Sequence, residues 1–313
     1  MLSLQNIDAM TDAAKSEWVL IANPTAGGGR ALRVAEKVAA SLKLAGIQVR
    51  VDLTRRRGDA PEFARQALDS GAERIVVCGG DGTLNELLPV LSEKEGSPAL
   101  GIVPCGTCND FALALGIPFG ISAAVQVLLV GTSAMVDLAR VDDRLFATVA
   151  GCGFDARVSQ VARDVRWLSG TAGYIYATLK CLRHFRPPRL RISGEFGAIE
   201  EDVLLVATGN TSSYGGGMRI VPDANPTDSK LDICIVRAVP GWTVLSMLSR
   251  VFAGRHVAHP AVRMERSSWV TIESPDSAQP LLLHGDGEDL TTTPFTIEAR
   301  ARAINVILPT FAT

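Results

Sequence analysis

The feature that most constrains the fold of this chain is a glycine-rich turn that follows a short apolar run, Ile75–Cys78. The run does not alternate between apolar and polar residues, so it predicts a parallel strand buried on both faces. Gly79, Gly80 and Gly82 allow backbone angles and close approaches that a side chain would block. Thr83 is placed to cap the helix that follows. Such a turn predicts a concave site where main-chain N–H groups hold a phosphate.

An acidic residue, Asp81, lies inside this turn. A carboxylate repels a bare phosphate, so its position indicates a magnesium ion between the two negative charges. Glycine-rich turns between strands and helices also occur for purely structural reasons, and one such turn does not decide between these interpretations. The rest of the N-terminal half therefore has to be considered with it.

The N-terminal half alternates strand-like and helix-like segments, with Asp59 expected to cap one of the helices. This order predicts a parallel sheet with its ligand site at the carboxyl ends of the strands. Three turns are expected to meet at that edge, with Thr54 beside them: Asn23–Gly29, Gly79–Thr83 and Pro104–Asp110. Three glycine-containing turns facing one crevice favour a nucleotide site.

From Met135 onwards the pattern changes to short apolar runs separated mostly by turn residues, with helices expected only near 157–185 and 242–255. Successive strands without intervening helices predict an antiparallel sheet or sandwich. We therefore expect an α/β domain over residues 1–136 and a β-rich domain over residues 137–299. The last strands, about 300–313, are expected to complete the first domain.

The composition narrows the class of protein. A chain of 313 residues with 47% hydrophobic and 20% charged residues is typical of a folded globular protein, and the net charge of −2 argues against nucleic acid as a partner. Met1–Ser16 contains acids and lacks the apolar core of a signal peptide. The stretch between Asp110 and Asp137 has no charge, but Gly116–Pro118 and Gly120 divide it, which favours two short buried helices. Six cysteines without a repeating spacing are consistent with reduced thiols and a cytoplasmic location.

Four motifs occur in the order seen in the diacylglycerol kinase catalytic-domain family, which includes bacterial soluble lipid kinases and sphingosine kinases. They are Asn23–Gly27, Gly79–Asn85, Gly101–Ala112 and Gly285–Glu288. NAD kinases share the glycine–aspartate turn but lack the later motifs. The resemblance spans nearly the whole chain and implies a two-domain kinase that uses ATP and Mg²⁺, with ATP bound between the domains.

The resemblance also assigns roles to residues, position by position. Asp81, Asp110 and Asp137 match an acidic network that handles magnesium and water, and Asp286 and Glu288 match the motif that supplies the general base. The matching nucleotide contacts are Asn23, Pro24, Thr25, Ala26, Gly27, Thr54, Gly79, Gly80, Asp81, Gly82, Thr83, Leu84, Asn85 and Thr107. A second, structural magnesium is implied at Asp232, Ser229 and Cys234, where Ser229 replaces the family's usual glycine.

The expected activity is transfer of the γ-phosphate of ATP to a hydroxyl of a lipid alcohol such as diacylglycerol. A kinase of a soluble acceptor, similar to NAD kinase, and a nucleotide-binding regulatory protein without turnover remain alternatives. A basic run, Arg183–Arg191, is a candidate for peripheral contact with the inner face of the membrane. The sequence leaves open which lipid is used, whether Asp286 or Glu288 is the base, and whether the protein forms oligomers.

Overall fold

The computed structural model describes residues 17–93, 96–164, 171–182, 185–275 and 280–310. Met1–Ser16 and two residues of the basic run, Arg183 and His184, lie outside these ranges, so the interpretations placed on them are not addressed. The described residues form two compact units. Unit 1 contains residues 1–106, 116–134 and 304–313, and unit 2 contains residues 107–115 and 135–303. The short segment Thr107–Leu115 thus belongs to unit 2, although the sequence-based division at residue 136 assigns it to the first domain.

The elements of the N-terminal half follow in chain order. They are β1 (Glu17–Ala22), α1 (Ala31–Leu44), β2 (Gln48–Leu53), α2 (Asp59–Asp69), β3 (Arg74–Gly79), α3 (Asp81–Ser92), β4 (Ala99–Pro104), α4 (Asp110–Ala114) and α5 (Ile121–Val130). The charge-free stretch thus contains two short helices, as the sequence predicts. Among the helices that the structure describes, none is both long and apolar enough to cross a bilayer.

The elements of the C-terminal half are mostly strands. They are β5 (Thr132–Val141), β6 (Arg144–Phe146), β7 (Val149–Gly153), α6 (Phe154–Asp164), α7 (Thr171–Leu182), β8 (Arg189–Gly194), β9 (Gly197–Gly209), β10 (Leu231–Arg237), α8 (Gly241–Val251), β11 (Val262–Ser267), β12 (Trp269–Glu273), β13 (Leu282–Gly285), β14 (Glu288–Thr292) and β15 (Phe295–Leu308). A 3₁₀ turn, Arg255–Ala258, follows α8. Two helices, α6 and α7, thus occupy the region where the sequence predicts one.

Unit 1 contains a parallel sheet in the order β2-β1-β3-β4, and the end of β15 pairs in parallel with β4 through Val306 and Leu100. The central strands β1 and β3 are buried along almost their whole length, which explains their continuous apolar runs. By contrast, β2 lies at the edge with Val51 and Leu53 each 38% exposed. The apolar residues Val51 and Leu53 are thus no more buried than the polar residues Arg50 and Asp52 that alternate with them.

Unit 2 contains antiparallel strands arranged around the long strand β9. The first half of β9 pairs with β8, and its second half pairs with β7 on one side and β10 on the other. Two apolar clusters are buried in this unit, one of them between strands and the other under the helices α6, α7 and α8. The fold class is therefore the predicted combination of a parallel N-terminal sheet with antiparallel C-terminal strands.

Two predicted helix starts are wrong by one to three residues. The first turn of α3 begins at Asp81 after Gly80, so Thr83 lies inside the helix and does not cap it. For α2 the residue before the helix is Gly58, with a left-handed φ of 93°. The Asp59 carboxylate instead accepts hydrogen bonds from the main-chain N–H groups of Arg55 and Arg56, so it stabilises the turn that precedes the helix. The strand β11 was not predicted from the sequence, because its charged residues hide the apolar pattern.

The glycine that ends α5 gives a test of how β15 completes unit 1. A Cβ on Gly131 would lie 2.4 Å from the carbonyl oxygen of Val127 and 2.6 Å from that of Leu308 in β15. Backbone atoms cannot move aside cheaply, so we expect Gly131→Ala to lower the free energy of unfolding by about 1–3 kcal/mol in urea denaturation. Gly120→Ala, at the other end of the helix, meets no heavy atom closer than 4.0 Å and should change it by less than about 1 kcal/mol. Equal effects of the two substitutions would contradict this account.

Candidate active site

In unit 1 the turn after β1 lies beside the turn after β3. Asn23 donates from its main-chain N–H to the carbonyl of Cys78, and its side-chain amide donates to the hydroxyl of Thr83 over 3.3 Å. The oxygen of the same amide accepts hydrogen bonds from the N–H and the hydroxyl of Thr25. Asn23 therefore links the turn after β1 to the turn after β3. Thr83, which does not cap α3, instead accepts the hydrogen bond from the Asn23 side chain.

The glycines of the first turn are needed for close approach. Gly27 has a left-handed φ of 59°, and a Cβ there would lie 2.1 Å from the carbonyl oxygen of Cys105. Gly28 and Gly29 also have positive φ angles. Thr54 follows β2, and its N–H donates to the carbonyl of Ala22. The turns Asn23–Gly29 and Gly79–Thr83 and the residue Thr54 are thus joined at one edge, and the N–H of Cys105 in the third predicted turn, Pro104–Asp110, donates to the carbonyl of Gly79 there.

The N-terminus of α3 presents main-chain N–H groups at this edge. The first N–H groups of a helix have no partner within the helix and carry partial positive charge. Gly82, in the first turn, is exposed and has no atom within 4 Å of an added Cβ. Leu84 is different, since its side chain is buried in the core and its N–H donates to the carbonyl of Gly80. Of the residues predicted to contact the nucleotide here, Gly82 is accessible and Leu84 is not.

In unit 2 the carboxylate of Asp110 is already bound to the main chain. Asp110 is 6% exposed and accepts hydrogen bonds of 3.1 Å from the N–H groups of Gly216 and Gly217. These glycines belong to a run with positive φ angles, Gly215–Gly217. Thr107, predicted to contact the nucleotide, lies in the same unit. The three-glycine run is visible in the sequence, but its acidic partner is not.

Asp137 is bound in a similar way and is 1% exposed. One of its carboxylate oxygens accepts a hydrogen bond of 2.6 Å from the N–H of Ser229, and the other accepts one of 2.6 Å from the N–H of Arg302. Its main chain also pairs with Pro226 and with the side chain of Asn210. Asp110 and Asp137 therefore organise loops, and no described group of three His, Cys, Asp or Glu residues is arranged to hold a metal ion.

The Asp286–Glu288 motif forms a tight hairpin between β13 and β14. Asp286 and Gly287 both have positive φ angles, 50° and 84°, which is the geometry of a two-residue hairpin turn. The Asp286 carboxylate accepts hydrogen bonds from the N–H groups of Ala147 and Thr148 and from the Thr148 hydroxyl. The carboxylate of Glu288 is 39% exposed and lies 3.7 Å from the guanidinium of Arg144. The two carboxylates therefore differ in what they bind, which the sequence could not show.

The predicted structural magnesium site has one suitable oxygen. Asp232 is 4% exposed, and its buried Oδ2 makes no hydrogen bond among the described residues. Burial, together with the negative charges of Asp228 and Asp223, raises the pKa of Asp232 to about 6, although Arg266 opposes this shift. Ser229 has a φ of 62°, the left-handed conformation for which glycine is suited. The substitution of the family's glycine therefore retains the backbone shape of this turn.

Two observations concern how Asp232 and Cys234, two of the predicted ligands, could bind a metal ion. The guanidinium of Arg266 binds Asp228 and approaches Asp232 to 3.5 Å, so a cationic side chain of the protein already lies beside this oxygen. Burial raises the pKa of the Cys234 thiol to about 12, and its sulfur lies 3.9 Å from the ring of His256. Cys234 therefore stays a neutral thiol and offers a metal only its main-chain oxygen. Arg266 was not singled out from the sequence, because it is far from these residues in the chain.

Unit 2 also contains an apolar cavity with about 550 Å³ of space, part of it open to solvent. Its lining side chains are mostly apolar and come from α6, α7, α8, the strands β9 and β10 and the segment between these strands, among them Phe154, Leu204, Val236, Val244, Met247 and Val251. A buried polar side chain, His256, also lines it and faces the carbonyl of Ile220 at 3.0 Å. Burial lowers the pKa of His256, so the ring is neutral at pH 7. The lining is that of a site for a largely apolar group.

These features define a class of protein with a parallel α/β unit, glycine-rich turns at the carboxyl ends of its strands, and an antiparallel unit with an acidic hairpin and an apolar cavity. Comparison with known families agrees. Residues 17–141 match the diacylglycerol kinase catalytic domain, and residues 148–308 match the YegS C-terminal NAD kinase beta sandwich-like domain. The chain belongs to the diacylglycerol kinase catalytic-domain family.

Individual relatives extend over almost the whole chain. It is 32% identical over 303 residues to the "Probable lipid kinase YegS-like" of Enterobacter sp. (strain 638), with 95% of this chain and 97% of the relative covered. It is 33% identical over 297 residues to a diacylglycerol kinase of Mycobacterium tuberculosis, with 92% and 94% covered. A crystal structure described as a diacylglycerol kinase from Bacillus anthracis superimposes with a TM-score of 0.73 at 24% identity, covering 94% of this chain and 97% of that one. At this level of identity, the similarity to the crystal structure supports only the fold.

Substitution of Gly82 can distinguish an effect on protein stability from an effect on ligand binding. Since no atom lies near an added Cβ, we expect Gly82→Ala to leave the stability unchanged or raise it by up to about 1 kcal/mol. If phosphates approach the N-terminus of α3, the same methyl group should weaken ATP binding about tenfold or more in calorimetry. Gly79→Ala is the comparison, because its Cβ would lie 2.8 Å from the Cβ of Thr83 and should destabilise the protein. Unaltered ATP binding by Gly82→Ala would exclude this site.

The raised pKa of Asp232 predicts a pH dependence of stability in EDTA. The folded state holds its proton up to about pH 6, whereas the unfolded chain loses it near the ordinary value of 3.8. The contribution of the Asp232 carboxyl to the free energy of unfolding should therefore fall as pH rises from about 4 to about 6, by on the order of 3 kcal/mol in total. Asp232→Asn should remove that fall in urea denaturation. Asp202→Asn, an exposed carboxylate of β9, should leave it in place; an Asp232→Asn profile equal to the wild type would contradict the burial argument.

Proposed function

We propose that this protein is a magnesium-dependent kinase that transfers the γ-phosphate of ATP to the hydroxyl group of a lipid alcohol such as diacylglycerol. The observation that carries the proposal is the apolar cavity in the same unit as the Asp286–Glu288 hairpin. An acceptor with acyl chains needs such a cavity, whereas a soluble acceptor such as NAD needs a polar one. Membership of the family and the names of the relatives support the same activity.

The glycine-rich turns of unit 1 are proposed to bind the nucleotide. The N–H groups at the N-terminus of α3 offer hydrogen-bond donors to phosphate oxygens, and the turn Asn23–Gly27 is held beside them by the Asn23 side chain. Asp81, in the first turn of the helix, is the acidic residue placed to bind a magnesium ion. When bound, magnesium neutralises the negative charge that phosphoryl transfer concentrates on the phosphate oxygens.

Glu288 is proposed as the general base. A base needs an accessible carboxylate, and Glu288 is partly exposed next to Arg144. In the proposed step its carboxylate oxygen accepts the proton of the lipid hydroxyl while that hydroxyl oxygen forms its bond to the γ-phosphorus of ATP, and the bond from this phosphorus to the bridging oxygen breaks so that ADP leaves. Asp286 has a different task, because three donors from Ala147 and Thr148 hold its carboxylate and with it the turn that positions Glu288.

These roles predict different effects for two neighbouring substitutions. Glu288→Gln should lower kcat by at least about 100-fold with unchanged thermal stability, because only proton acceptance is lost. Asp286→Asn should lower stability by about 1–3 kcal/mol as well as activity, since its new amide NH₂ opposes an N–H donor. The assay incubates the purified protein with Mg²⁺, γ-labelled ATP and mixed micelles of diacylglycerol, a sphingoid base, phosphatidylglycerol or monoacylglycerol.

The outcome of this assay distinguishes the candidate functions. Label in one lipid that is lost in Glu288→Gln and in Asp81→Ala supports the kinase and identifies its acceptor. Narrowing the cavity with Met247→Trp should then raise the KM for long-chain lipids more than for short-chain ones. Label in no lipid, with ATP still bound, would reject a lipid acceptor from this panel. NAD would then be tested as a soluble acceptor, and absence of any product would favour a regulatory protein.

A further inference from the structure

Helix α8 has two apolar faces instead of one. Its inner face includes Val244, Met247 and Val251, which line the apolar cavity. A second stripe points outward, where Trp242 is 74% exposed and Leu245 is 41% exposed. A helix that is only part of a protein core normally has a polar outer face. The outer stripe of α8 therefore needs a separate explanation.

The stripe continues beyond the last residue of the helix. Phe252 keeps helical backbone angles and is 38% exposed. Positions 242, 245 and 252 are separated by three and seven residues, spacings that keep side chains on one side of a helix. Two aromatic residues and a leucine thus share one exposed side of the helix with Ser249, and we call these three residues the α8 stripe (Trp242, Leu245 and Phe252). Exposed apolar stripes of this kind mark sites of contact with another apolar surface.

The charges around the α8 stripe have one sign. From Ile233 to Met264 the sequence contains no aspartate or glutamate, but it contains four arginines. Two of them, Arg250 at the end of α8 and Arg255 in the next turn, are exposed and form no ion pair with any carboxylate in the part of the chain that the structure describes. The other two, Arg237 and Arg263, lie near Glu201 and Glu265. An apolar stripe with unneutralised arginines beside it is complementary to anionic lipid headgroups over acyl chains.

We propose that α8 docks the protein on an anionic lipid bilayer, with the α8 stripe inserted at the headgroup–acyl boundary and Arg250 and Arg255 on the headgroups. This inference rests on the proposed function, because it explains how a lipid reaches the cavity. The same helix contacts the bilayer with one face and lines the cavity with another, so a lipid moves along one element from membrane to site. A bilayer fits this arrangement better than a protein partner, because a protein surface has no reason to adjoin the lipid cavity.

The test measures binding to vesicles of phosphatidylcholine with or without phosphatidylglycerol, by sedimentation and without ATP. We expect Trp242→Ala to weaken binding about tenfold or more, because a large exposed aromatic side chain no longer enters the interface. Trp269→Ala is the matched control, since Trp269 is an exposed tryptophan of β12 with 37% exposure, and it should bind like the wild type. Arg250→Gln and Arg255→Gln should each weaken binding to the anionic vesicles about fivefold, and less at high salt.

Quenching by brominated lipids gives a second readout. Wild-type tryptophan fluorescence should be quenched on vesicles, and Trp242→Ala should lose most of that quenching. All variants should share the thermal unfolding curve of the wild type, because the changed side chains are exposed. Equal vesicle binding by Trp242→Ala and the wild type would overturn the proposal, as would binding that does not depend on phosphatidylglycerol.

Failure of this inference can be told apart from failure of the proposed function. If the protein phosphorylates micellar or short-chain lipid but Trp242→Ala still binds vesicles normally, the kinase stands and the docking role of α8 is rejected. If no lipid is phosphorylated but vesicle binding depends on Trp242, the docking surface stands and the lipid acceptor is rejected. With both correct, Trp242→Ala loses activity on vesicles and keeps it on a water-soluble short-chain diacylglycerol.

Discussion

The buried carboxylate of Asp137 joins three segments of unit 2 that are far apart in the chain. It binds the N–H groups of Ser229 and Arg302, which are about ninety residues and more than one hundred and sixty residues away in the chain. Both of these residues have left-handed φ angles, 62° and 51°, which cost a side-chain-bearing residue roughly 1–2 kcal/mol each. Hydrogen bonds to a charged acceptor are worth about 1.5–3 kcal/mol each, enough to hold both residues in this conformation. One carboxylate thus fixes a turn beside the predicted metal site and a bend in β15.

Two other carboxylates of unit 2 also accept hydrogen bonds from main-chain N–H groups of distant segments. Asp110 holds the glycine run Gly215–Gly217, and Asp286 holds the segment Ala147–Thr148. These carboxylates bind main-chain N–H groups of their own unit and thereby order its loops. Three other acids have different described contacts: Asp81 lies at a helix start, Glu288 lies beside Arg144, and Asp232 has a buried Oδ2 beside Arg266. The sequence motifs name these acids, but only the structure shows which groups each of them contacts.

What could be predicted from the sequence depends on how far apart in the chain the interacting residues are. Local features were predicted well: the buried strand β3 and the two helices of the charge-free stretch. The cap at Thr83 was misplaced because its hydroxyl binds Asn23, sixty residues away. The main-chain partners of Asp110 and Asp137 and the presence of Arg266 beside Asp232 were not predicted for the same reason. Where a side chain finds its partner across the fold, the residues near it in sequence do not identify that partner.

Glycines show most directly which part of a motif serves the fold. Gly79 is required by packing, because any side chain there would meet Thr83, and Gly27 is required by the carbonyl of Cys105. Gly82 has ordinary backbone angles and open space around it, in a helix where alanine would be more stable. A glycine that the folded chain does not need, at a helix N-terminus beside two turns fixed by Asn23, is explained by a molecule that must approach the backbone closely. The proposed nucleotide site thus accounts for Gly82, whereas packing within the protein accounts for Gly79 and Gly27.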